Sequence, residues 1–233
     1  MVIRTAMSFL CYKRSMKIQE IYDRYDIMPN LREHQLRVAG VAKYICNQLS
    51  EKDFSERDLI TACLLHDMGN IVKADLSVFP EFITPELLPR FEKQKKEMME
   101  KYHDEHDATL GIARELGVGL GVYTYLENAR LLKFNEKEAE LAVQIYNYAD
   151  MRVHPFGIRA LQERLDNLRA RYETKKMREG LPPFNREAFE KRLHEFEDDI
   201  FSCIASVRPQ DITDESIAPL IAELQTFDIE LAS

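Results

Sequence analysis

An all-α fold is what the residue pattern of this chain predicts. Apolar residues recur at i, i+3, i+4 and i+7 through most segments, which is the spacing of one helix face. Only eight of the 233 residues are glycine, and the helix formers Leu, Ala, Glu, Lys and Arg are abundant. No segment carries a confident strand signal. Forty-five per cent of residues are hydrophobic, enough to bury a full core.

The periodicity resolves into a bundle of about eight to ten helices. The first strong one is MPNLREHQLRVAGVAKYICNQLSEK, with Pro29 and Asn30 as its start signal and an apolar stripe of Leu31, Val38, Val41, Ala42, Ile45 and Leu49. The next, FSERDLITACLLHDMG, opens on Ser55 with Asp58 three residues on, a capping box with Asp in place of Glu. Gly69 is expected to end it in a left-handed conformation. The stretch from Asn70 to Pro85 contains Pro80 and has no helical stripe, so it reads as a loop. A charged helix, PELLPRFEKQKKEMMEKYH, and a short one, DEHDATLGIARELG, follow, the latter stopped by Gly117. GVYTYLENARLLKF reads as helix too. In NEKEAELAVQIYNYADMRV, Asn135 is a cap and Leu141, Ile145 and Tyr148 share a face. Pro155 and Gly157 mark a break. Helices over IRALQERLDNLRARYETKKMRE, REAFEKRLHEFEDDIFSCIASV and DESIAPLIAELQTF complete the chain, the first two separated by the turn LPPFN. Residues 1–29 are expected to be an N-terminal helical extension, 30–160 the core, and 161–233 a C-terminal helical extension packed on it.

The net charge of -8 argues against a nucleic-acid polymer as the main partner, though a small phosphorylated ligand needs only local positive charge. No apolar run is long enough for a transmembrane helix, so no membrane partner is expected. The start, MVIRTAMSFLCYKRSMK, has a signal-like apolar run, but Thr5 and Ser8 break it and Lys13 and Arg14 follow at once, so it is read as part of the fold. Cys11, Cys46, Cys63 and Cys203 form no CxxC pair and read as reduced core residues of a cytoplasmic protein. The basic run RARYETKKMREG reads as a solvated helix face.

Chemistry concentrates in three helices. His66 and Asp67 stand together where CLLHDMGN runs out of its apolar helix. A capped helix end would explain that pair alone. His34, however, lies on the core-facing side of the preceding helix, and Asp150 ends a helix four residues after Tyr146, on or near the apolar face. A buried lone carboxylate is costly unless something positive is present. A divalent cation would satisfy both imidazoles and both carboxylates, and that mixed donor set suits Mn, Fe, Co, Ni or Zn.

The ordered set His34, His66-Asp67, Asp150 resembles the H…HD…D signature of the HD-domain metal-dependent phosphohydrolases. EHQLRVAGVA is similar to that family's first motif helix, ACLLHDMGN to its central motif and NYADMRVHPFGI to its closing segment. The resemblance covers roughly residues 30–160 and implies an all-α, HD-domain-like core. It further implies a metal held by His34, His66, Asp67 and Asp150, and hydrolysis of a nucleotide or other small phosphate ester through a metal-activated water. Asp67 would both ligate the ion and orient the water. Lys73, six residues on, and His106, on the short helix, are the further catalytic candidates, each placed to meet substrate phosphate. Arg37 and Arg152 read as structural ion pairs.

Two departures bear on substrate class. Asn70 stands where many relatives have the lysine of HDxGK, and no glutamate follows the motif as in the nucleotidase-like branch. His106 with Gly111 loosely matches the helix that supplies an extra histidine in dinuclear members, but residues 107–149 hold no further histidine. One divalent ion per chain (Mn, Fe, Co, Ni, Mg or Zn) is therefore expected, with His106 beside it. His103, His154 and His194 read as pocket or surface residues. A catalytically silent nucleotide-binding or protein-interaction module is the alternative. The zinc-deaminase signature, HxE followed by PCxxC, and the peptidase motif HExxH are absent. A homo-oligomer is left open.

Overall fold

The structure is a computed structural model that describes residues 14–77, 83–128, 140–179 and 185–231, with the backbone alone over 171–179. Asn135, Pro80, Cys11 and most of the LPPFN turn lie outside the described residues.

Ten α-helices dominate the described residues, with four short strands. In chain order they are β1 (Arg14–Lys17), α1 (Ile18–Arg24), α2 (Pro29–Cys46), α3 (Glu56–Leu65), α4 (Leu88–Lys101), α5 (Glu105–Leu116), α6 (Leu120–Asn128) and α7 (Leu141–Arg152). After these come β2 (Val153–His154), β3 (Gly157–Ile158), α8 (Leu161–Glu179), α9 (Arg186–Ser202), α10 (Asp214–Leu224) and β4 (Asp228–Leu231). The fold is all-α, as the periodicity indicates. No helix among the described residues is long and apolar enough to cross a membrane.

Helix α2 is the centre of the bundle. Its Val38, Ala39, Val41, Ala42 and Ile45 are fully buried, and it packs against α3, α7 and α10. Pro29 occupies its first turn, where the missing N–H costs nothing. Helix α3 is buried from Leu59 to Leu65 and is capped by the Ser55 side chain, which accepts from the Asp58 N–H at 3.2 Å. The Asp58 carboxylate faces Gly121 of α6, so the reciprocal half of a capping box is not its role.

Three expectations are corrected. Gly69 is not left-handed: φ is -91° and ψ 1°. Helix α3 ends earlier, at Leu65, and residues 66–69 form a turn. Glycine is needed there for proximity, because a Cβ would lie 2.3 Å from the Glu105 carbonyl oxygen and 2.5 Å from Ala108 Cβ of α5. Gly117, by contrast, is left-handed at the end of α5. The absence of strand signal also misled. β1 pairs antiparallel with β4, Arg14 opposite Leu231 and Lys17 opposite Asp228, so a strand and not a helix begins the described N-terminal segment. β2 and β3 form a hairpin directly after α7. Strands of two to four residues made by distant pairing leave no period in the local sequence. Finally, Cys46 and Cys63 are buried free thiols, but Cys203 is exposed rather than part of the core, because it follows the last turn of α9.

Candidate metal centre

Four side chains from three helices meet beneath the turn after α3. His34 comes from the second turn of α2, His66 and Asp67 from the residues just past α3, and Asp150 from the last turn of α7. His34 Nε2 lies 3.0 Å from Asp150 Oδ1 and 3.3 Å from His66 Nε2, and His66 Nε2 lies 3.5 Å from the same Asp150 oxygen. Asp67 Oδ2 is 3.7 Å from both imidazole Nε2 atoms. Among the described residues, His34, His66 and Asp150 form a group whose donor atoms all lie within 4.8 Å of one another. Asp67 stands beside this group, near both imidazoles, and His103 and His106 do not belong to it.

These donors fit a divalent cation. Bonds of about 2.0–2.3 Å to nitrogen and oxygen set neighbouring donors roughly 2.8–3.8 Å apart in right-angled to tetrahedral arrangements. His34 Nε2, His66 Nε2 and Asp150 Oδ1 are spaced in that range, and Asp67 Oδ2 lies within it of both imidazoles. The tautomer fits as well. His66 Nδ1–H donates to the Cys63 carbonyl at 2.8 Å, so Nε2 is the ring nitrogen left facing the other donors, and it would offer its lone pair to a cation once its proton is displaced.

The field at the site favours positive charge. Burial alone would lower the His66 pKa, but Asp67 and Asp150 outweigh it and push it up to about 9. Burial likewise works to raise the Asp150 pKa, yet hydrogen bonds from His34 and His66 hold it well below the usual carboxylate range. The Tyr146 hydroxyl is buried without a partner in the described chain, its ring edge-on to His66 at 6.1 Å. Burial pushes its pKa well up, and charge at Cys63, Asp150 and Asp67 acts in the same direction.

The remaining candidates occupy the surroundings. Lys73 follows a 3-10 turn, Asn70–Val72, and forms a 3.1 Å ion pair with Glu105 at the start of α5. Burial works to lower its pKa, and Asp67 and Glu105 together raise it. His106 sits half-buried in the first turn of α5, beside the helix face that Gly69 touches. Gly111 does not face the His66 helix; a Cβ there would lie 2.2 Å from the Tyr102 ring. His103 is exposed beside Asp104, and His194 Nε2 lies 3.1 Å from Gln162 Oε1.

Both arginines are structural. Arg37 meets Glu33 at 3.1 Å and Asp214 at 3.6 Å. Arg152 is buried and donates to the carbonyls of Arg159, Pro209 and Ile212 and to the Tyr148 hydroxyl.

Sequence reasoning missed the residues that grip Asp67. Gln35, fully buried on α2, accepts from the Asp67 backbone N–H at 3.3 Å. Asn70 Nδ2 donates to Asp67 Oδ2 at 2.7 Å. A short polar side chain three residues past a carboxylate in a turn was the available signal for Asn70.

The model of the family described as HD domain matches residues 31–151, a span that encloses all four converging residues. No curated protein and no solved structure matches the chain.

Proposed function

The chain belongs to the HD-domain family, within the superfamily of metal-dependent phosphohydrolases, and from that premise we propose that it hydrolyses a nucleotide or another small phosphate ester. The observation that carries the reading is the meeting of His34 Nε2, His66 Nε2 and Asp150 Oδ1 at 3.0–3.5 Å, with Asp67 Oδ2 at 3.7 Å from both imidazoles. These four residues would hold one divalent ion per chain, among Mn, Fe, Co, Ni, Mg and Zn.

A cation held there supplies Lewis acidity, which withdraws charge from a phosphoryl oxygen and makes water a competent nucleophile near neutral pH. The protein's own residues do the rest. His34 and His66 would turn Nε2 toward that cation, the latter ring fixed by its Nδ1–H bond to Cys63. Asp67 is 23% exposed at its side chain, the most accessible of the group after Asp150, and accepts the proton of the attacking water. Lys73 is half-exposed and paired with Glu105, so it can exchange that partner for a phosphate oxygen. His106 serves as acid or phosphate contact from α5. A cytoplasmic setting completes the reading, supported by the buried free thiols Cys46 and Cys63.

The test is phosphate release from nucleoside monophosphates, triphosphates and cyclic dinucleotides with added Mn²⁺ or Co²⁺. The reading expects turnover with at least one of these that a chelator abolishes and added metal restores. Metal binding without turnover of any phosphate ester would leave the chain a silent binding module.

A further inference from the structure

We propose that Asn70 is the positioning residue for Asp67, a role that rests on the metal centre of the reading above. A carboxylate can only accept hydrogen bonds, so the Asn70 amide must turn its NH₂ toward Asp67 Oδ2, 2.7 Å away. That oxygen is the one 3.7 Å from both histidine Nε2 atoms. The bond therefore fixes the carboxylate rotamer with Oδ2 facing the other donors.

The backbone supports the geometry. The Asn70 N–H donates to the Asp67 carbonyl at 3.0 Å, which closes the turn and hangs the amide over the carboxylate. Gln35 holds the Asp67 backbone from α2 at the same time. Asp67 is thus gripped at both its main chain and its side chain by neutral amides, which restrain it without adding a cation to the site.

Orientation toward Asp67 has a cost. It leaves Asn70 Oδ1 buried with no partner in the described chain. An apolar side chain of similar size would remove that acceptor and, with it, the bond to Asp67. The 2.7 Å bond to the Asp67 oxygen that faces both imidazoles is what gives Asn70 this role.

Two full-length variants test this. Asn70→Leu removes the donor and keeps the bulk; Asn70→Ala removes both. Titration calorimetry with Mn²⁺ alone should show affinity falling roughly 10- to 100-fold in each. The visible absorption spectrum of the Co²⁺-loaded protein should change as Asp67 leaves its position. The melting temperature of metal-free Asn70→Leu should hold or rise. Unchanged Mn²⁺ affinity and Co²⁺ spectrum in both variants would overturn the assignment. So would affinity losses matched by an equal loss of metal-free stability, the result of a purely structural role. Wild-type protein that binds Mn²⁺ but hydrolyses no ester removes the functional reading and leaves the positioning role intact. Wild-type protein that binds no Mn²⁺ overturns both.

Discussion

Asp67 carries the most weight at the residue scale, since it would touch both ion and water. Asp67→Ala should abolish hydrolysis, by about 10³-fold or more, and weaken metal binding while the chain stays folded; turnover, elemental analysis and circular dichroism check this. Full activity would show the motif to be decorative. His66 gives a pH prediction. Its folded pKa is raised from 6.5 to about 9, so without metal it contributes stability fully below pH 6.5. That contribution is lost as pH rises through 9. Melting of the chelator-treated protein at pH 6, 7.5 and 9.5 should show the decline, and His66→Ala should flatten it; equal slopes in both would count against the assignment. The residues that converge were legible because imidazoles and carboxylates on apolar helix faces are costly without a partner. Their supports were not. The bonds from Cys63, Gln35 and Asn70 depend on how α2 and the turn after α3 approach one another, and periodicity does not contain that distance.

At the scale of elements, the site depends on α5 pressing against the turn of residues 66–69. Gly69→Ala would place a Cβ 2.3 Å from a backbone oxygen of α5, which cannot yield as a flexible side chain can. The helix must move, and its Glu105 and His106 with it. The expected cost is about 1–3 kcal/mol, read by urea denaturation, with reduced turnover. Gly119→Ala is the control, since a Cβ there meets nothing within 4 Å. A Gly69→Ala protein as stable as the control would show that α5 packs elsewhere. Helices were readable from the sequence because the 3.6-residue period is local. β1 and β4 were not, because RSMK and DIEL become strands by pairing across almost the whole chain. Gly69 was misread for a related reason: a glycine needed for close approach looks the same in sequence as one needed for a left-handed turn.

Across the whole molecule, the N-terminal and C-terminal segments of the described chain join through β1 and β4, and the C-terminal part is tied to the core by Arg152. Arg152→Leu leaves the carbonyls of Arg159, Pro209 and Ile212 without this donor. It should destabilise the fold by about 2–5 kcal/mol, measured by urea denaturation; an unchanged midpoint would mean that the arginine is dispensable. The bundle also gathers its four converging residues from positions 116 apart in sequence, His34 to Asp150, so metal binding should stabilise the global fold. Metal at about 100 times its dissociation constant adds roughly 2.7 kcal/mol, which appears as a rise in melting temperature. His34, His66, Asp67 and Asp150 are expected to hold one divalent ion. Diffraction from Mn²⁺-soaked crystals, recorded near the manganese absorption edge, tests it most directly. One anomalous peak per chain is expected, about 2.0–2.3 Å from His34 Nε2, His66 Nε2, Asp67 Oδ2 and Asp150 Oδ1. No peak among these atoms at saturating Mn²⁺, or a peak that lies elsewhere on the chain, would contradict it.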